Sequence, residues 1–195
     1  MKKQKASVFV ILGFCLIVCS FFLMLAFHFR VYINAKNRQE IISKLNDSLS
    51  DRTLGTPGIY LNPTMPVLEI DGIDYVAMLE IPAFSVKFPI ANTWDSKLLS
   101  VYPARFYGSA YDGTLVIGGS DHPQQFYFCD KIENGTIVTV TDMTGSQFTY
   151  IVSGIDRAKH AESQWLTNTD CDLTIFCRDI YAMEYIAVRC VSSCG

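Results

Sequence analysis

The sequence lacks a basic patch or stripe, and its 195 residues carry a net charge of −3, so nothing in it suits a nucleic-acid backbone. It has no CxxC pair, and none of its three histidines stands at metal-ligand spacing from a cysteine. No metal or cofactor is therefore expected. Internal repeats and low-complexity tracts are absent. Of seven cysteines, Cys15 and Cys19 fall in an apolar run, leaving Cys129, Cys171, Cys177, Cys190 and Cys194. That remainder is odd, so at least one cannot join an intramolecular pair. Whether Cys190 bridges Cys194 is not fixed by the sequence.

A further absence is positional. From Ala6 to Phe27 there is no charged residue. As a helix this run would be about 33 Å long, against a bilayer core of about 30 Å. It exceeds the apolar region of a signal peptide and has no A-x-A site. We expect a cytoplasmic tail at 1–5 and an uncleaved transmembrane anchor at 6–27. Lys2, Lys3 and Lys5 favour an internal N-terminus and an extracellular C-terminal domain. Arg30, Lys36 and Arg38 on the other flank weaken that bias.

Residues 28–69 read as a helical stalk and linker. Ile33, Ile41, Ile42, Leu45 and Leu49 recur at helical spacing. "RTLGTPGIYLNPTMP" then breaks the pattern with Gly and Pro. From about residue 70 to 195 the signal changes to short strands: "DYVAMLEI", "FSVKFPI", "GTLVIGG", "DLTIFC" and "EYIAVRCV". "GTIVTVTDMTGSQFTYIVSGI" reads as a hairpin turning at Asp142-Met143-Thr144-Gly145. So many short strands in one domain predict a mainly β fold, a small barrel or a sandwich.

The order of these segments resembles the sortases, membrane-anchored cysteine transpeptidases of Gram-positive bacterial surfaces. "LEIPAFSVKFPI" is similar to the family's L-x-I-P opening. "LLSVYPARFYGSAYDGTLVIGG" is similar to the run into its V-I-x-G-H segment, and "DLTIFC…IAVRC" to its closing strands. The resemblance implies a closed eight-stranded β-barrel with short helices. It also implies a His, a Cys and an Arg as the catalytic set. Carried over singly, the His position falls on Ser120, the Cys position on Arg178 and the Arg position on Tyr185. All three are substituted.

A cysteine nucleophile needs a thiolate or a base to make one. The histidine also protonates the leaving amine, and Ser120 does neither at neutral pH. Arg178 stays protonated. Cys177 is one residue from the nucleophile position, and strand alternation puts it on the opposite face with Leu173 and Ile175. Packing as a small hydrophobe is its default role. A bulge would be needed to bring Cys177 out. His122 would then be its base, and Arg178 or Arg105 its cation. Arg178 could otherwise hold a carboxylate, or pair with Asp179 or Glu184. Trp165, Phe126, Tyr127 and Phe128 are expected to be packing residues rather than a groove lining.

Two functions follow from the resemblance. One is a catalytically degenerate cell-surface homologue, a pseudoenzyme that binds a sorting-signal-like peptide or a partner surface protein. The other is an active transpeptidase with a shifted nucleophile, joining an L-P-x-T-G-like motif to a cell-wall precursor or pilin amine. A purely structural wall-proximal protein has no sequence feature of its own.

Overall fold

Only Gly13 interrupts the helix-compatible run from Lys2 to Arg52, and no proline does. The run forms one helix, α1 (Lys2–Arg52). The structure, a computed structural model, describes residues 2–52, 64–120, 125–167, 170–179 and 182–193. Most of the expected Gly/Pro linker therefore lies outside the described residues, as do His122 and Cys194. The chain divides into two units, Met1–Asn37 and Arg38–Gly195.

In the first unit, Phe14, Phe22 and Leu23 are among the exposed apolar side chains. The helix is long and apolar enough to cross a membrane, which suggests a single span.

The second unit is a barrel with the last turns of α1 packed on it. Its strands are β1 (Leu68–Ile70), β2 (Ile73–Ile81), β3 (Val86–Ala91), β4 (Ala104–Tyr107), β5 (Leu115–Ser120), β6 (Ile137–Asp142), β7 (Gln147–Ala158), β8 (Leu173–Asp179) and β9 (Glu184–Ser192). The hydrogen-bonded order is β1-β2-β3-β4-β5-β8-β9-β7-β6, and β2 also pairs with β6. That pairing, Ala77↔Asp142 through Glu80↔Thr139, closes β2 to β9 into the expected eight-stranded barrel. β1 is a short flap on β2. Closure pairs the side of β6 that would be an edge in an open sheet.

The sequence sets the details. "YVAMLEI" is apolar almost throughout because β2 is buried on both faces. Val76, Leu79 and Ile81 join the barrel core, while Tyr75 and Met78 meet a second core outside it. That outer core receives Ile41, Ile42, Leu45 and Leu49 of α1, three of which follow an i, i+4 stripe. The stretch expected as a stalk thus ends as a helix packed onto the sheet.

The β6–β7 hairpin turns where the sequence predicts. The Asp142 carboxylate accepts from the Thr144 and Ser146 N–H groups, at 2.8 and 2.9 Å, and from the Tyr111 hydroxyl. Gly145 supplies the positive φ of 91°, which costs other residues strain.

The weakest joint is between β3 and β4, where only Ala91↔Ala104 pair. The Arg105 Nη2 donates to Asn92 Oδ1 at 2.5 Å across this joint.

Two substitutions probe this packing. Leu45 is fully buried, so Leu45→Ala should cost about 2–5 kcal/mol in chemical denaturation of the full chain. A cost under about 0.5 kcal/mol would mean that α1 does not pack there. The buried Tyr150 hydroxyl has no hydrogen-bond partner among the described residues, so Tyr150→Phe should leave stability equal or raise it by up to about 1–3 kcal/mol.

Candidate functional site

β5 and β8 run parallel and pair residue for residue, Gly118↔Phe176, Gly119↔Cys177 and Ser120↔Arg178. β8 then pairs antiparallel with β9, Phe176↔Ala187, Cys177↔Ile186 and Arg178↔Tyr185. These registers set three rows across the outer face of the barrel. The first is Val116, Thr174 and Arg189, the second Gly118, Phe176 and Ala187, and the third Ser120, Arg178 and Tyr185. The residues that the sequence singled out from three separate segments therefore lie side by side.

Cys177 is not among them. With Leu173 and Ile175 it points into the barrel core, and it is fully buried. No bulge interrupts the pairing of β8. Arg178 is exposed. Its Cζ sits 5.7 Å from the centroid of the Tyr185 ring, a cation–π contact. Among the described residues it makes no ion pair, so the surface pair with Asp179 or Glu184 is not formed.

The backbone of Ser120 is held on both sides. Its N–H donates to Gln125 Oε1 at 2.9 Å, and its carbonyl accepts from Phe126 N–H at 3.0 Å. Gln125 is itself buried and donates to the Leu99 carbonyl at 2.9 Å. Ser120 is thereby tied to Gln125 and Phe126 beside the third row. His122, between them in sequence, lies outside the described residues.

The second row carries an aromatic cover that the sequence did not reveal. Trp94 stacks on Phe176 at 5.6 Å and 27°. Phe106 meets both rings edge-on, at 5.0 and 5.5 Å. Gly118 makes room for this, since a Cβ there would lie 2.4 Å from Trp94 Cη2 and 2.7 Å from Phe176 Cζ. Trp94 is held from both sides. Asn92 accepts from Arg105, and Asp95 caps the short helix α2 (Ser96–Leu99), accepting from Lys97 N–H and Leu98 N–H at 2.8 and 3.2 Å. Even so, Trp94 stays 42% exposed.

The other arginines of this wall are occupied. Arg189 is buried. Its Nε donates to Asp156 Oδ2 at 2.8 Å, its Nη1 to Thr174 Oγ1 at 3.1 Å and its Nη2 to the Trp165 carbonyl at 2.7 Å. It thus ties the short helix α3 (Ser163–Thr167) to the sheet. An arginine inside the apolar string "YIAVRCV" was the signal for it, because a buried cation needs partners. Arg105 is spent at the β3–β4 joint, and burial lowers its pKa. Phe126 and Phe128 are fully buried core residues, and Trp165 is partly buried against Leu166 and Phe176. Cys190 carries a free buried thiol; burial first, and Cys171 nearby second, push its pKa up to about 12. Among the described residues, no group of His, Cys, Asp or Glu could hold a metal ion.

Gly118→Ala should push Trp94 off Phe176. The expected readout is a red-shifted tryptophan emission with a stability loss of about 1–3 kcal/mol. Unchanged emission would mean that Trp94 does not rest on Gly118.

The family model described as Sortase domain matches residues 79–191. No curated protein sequence matches the chain. Many solved structures are similar at low identity, among them the following three. Sortase A from Corynebacterium diphtheriae is 17% identical at TM-score 0.56, over 78% of this chain and 84% of that one. A Clostridium perfringens sortase D5 transpeptidase is 20% identical at TM-score 0.56, over 83% and 98%. Clostridium perfringens sortase C, solved with the C-terminal cell wall sorting motif, is 19% identical at TM-score 0.53, over 80% and 89%.

Proposed function

We propose that this chain, which belongs to the sortase family, is a membrane-anchored member that binds a peptide or a partner protein on the outer face of β5, β8 and β9 without the family's cysteine chemistry. One observation carries this reading. The paired registers put Ser120, Arg178 and Tyr185 in a single row, while the thiol of Cys177 lies on the opposite face, in the core. The resemblance assigns the family's His, Cys and Arg to that row.

None of the three side chains there does the work assigned to its position. A serine hydroxyl takes no proton from a thiol at neutral pH and gives none to a leaving amine. A guanidinium is not a nucleophile. A tyrosine hydroxyl donates one hydrogen bond to a developing oxyanion, where an arginine adds a full charge. What the face keeps is shape, with a floor of small and aromatic residues and a polar rim. A structural relative solved with a cell wall sorting motif supports a peptide as the ligand class.

The anchor at 6–27 would hold the barrel, 70–195, outside the membrane of a Gram-positive cell, close to the wall, with residues 1–5 inside. The lysines of "MKKQK" support that orientation.

Thiol alkylation of the full chain tests the loss of chemistry, with each cysteine read by mass spectrometry. Among the described barrel cysteines, half-buried Cys171 should label first, and Cys177 only as fast as the barrel opens. Rapid labelling of Cys177 in the folded protein, or turnover of a sorting-signal peptide that Cys177→Ala abolishes, would overturn the proposal in favour of an active transpeptidase.

A further inference from the structure

Three arginines stand on the wall formed by β4, β8 and β9, and two are occupied. Arg189 is satisfied by Asp156, Thr174 and Trp165, and Arg105 by Asn92 and the Gly108 carbonyl. Among the described residues, Arg178 alone of the three makes no side-chain hydrogen bond or ion pair. The cation–π contact with Tyr185 braces the guanidinium beside the ring, and among the described residues its N–H groups are not otherwise engaged. A planar, braced fork of this kind matches a carboxylate. Asp179 and Glu184, the nearest acidic residues in sequence, are paired with each other one step along the strands. They project from the opposite face of the sheet.

One row away lies an apolar seat made by the exposed part of Trp94 and the partly buried Phe106, with the buried Phe176 beneath them. The two rows are two strand residues apart, about 6.6 Å. That is the scale of a single residue whose apolar side chain occupies one row while its own α-carboxylate reaches the next. A side-chain carboxylate would require the chain to continue past Arg178. A terminal one would not.

We propose that this face receives the free C-terminus of a peptide, with Arg178 pairing with the α-carboxylate, Ser120 flanking it, and the last side chain, an apolar one, resting on Trp94 and Phe106. This rests on the peptide-binding reading above and deepens it by naming the ligand's charge and end.

The test uses the full chain in lipid nanodiscs and N-terminally fluorescein-labelled peptides, Gly-Gly-Gly-Ala followed by Leu, Ile, Met or Phe. Each is prepared as the free acid and as the C-terminal amide. A further amidated set carries an internal aspartate. Anisotropy should show the acids binding and the amides weaker by about tenfold or more. Arg178→Gln, at an exposed position, should keep the melting temperature and bring acid down to the amide level. Trp94→Ala should weaken the acids as well.

Equal binding of acid and amide, or an Arg178→Gln chain that still prefers the acid, would sink the carboxylate assignment while leaving a peptide face in place. Amidated aspartate peptides that match the acids would reassign Arg178 to a side-chain carboxylate and overturn the terminal one. Binding of no peptide in any set would remove this inference and the peptide-binding reading together.

Discussion

The site depends on one interaction, the in-register parallel ladder between β5 and β8. Parallel neighbours buried on both faces admit little slippage, because a shift of one residue would turn every core side chain outward. Here the register is locked by Leu115, Ile117, Leu173 and Ile175 in the core and by Val116 and Phe176 outside it. The ladder therefore decides which residue at the end of "LTIFCRD" meets the outer face. It gives that side to Arg178 and the interior to Cys177. A thiol and a cation next to each other in sequence end up in different solvents.

The same ladder explains why small residues lie beside it. Gly118 is under Trp94, and Gly119 lies where a Cβ would meet the Phe126 ring at 2.7 Å. Two successive glycines on β5 thus admit an aromatic ring on each face, one from the outer wall and one from the core. The outer ring is clamped through neighbours at both ends, by Arg105 through Asn92 and by the cap of α2 at Asp95.

Much of this was legible in the sequence. The apolar run, the hairpin at Asp142–Gly145 and the barrel each had a local signal or a recognisable order of segments. The alternation in "LTIFCRD" was enough to place Cys177 and Arg178 on opposite faces. Less legible were residues whose role is set by partners distant in sequence. Trp94 sits in a short loop with no periodicity, and only Gly118 and Phe176 give it a place. The apolar string around Arg189 marks it as a buried cation, but its partners, Asp156 and the carbonyls of α3, are distant in sequence. Arg178 looked ready for an ion pair with Asp179 or Glu184, but neighbours along a strand face opposite ways, and its cross-strand partner is Tyr185.

The strand order has a consequence for how the protein is made. β8 and β9, the last strands of the chain, insert between β5 and β7. Until they are synthesised, β5 lacks its β8 neighbour and β7 its β9 neighbour, so both expose hydrogen-bonding edges, which are prone to pair with other chains. The C-terminal hairpin acts as a keystone: it closes both edges at once and brings Arg178 and Tyr185 with it. The row of Ser120, Arg178 and Tyr185 therefore does not exist in any form of the chain that lacks β8 and β9. Possession of the site and completion of the ring are a single event.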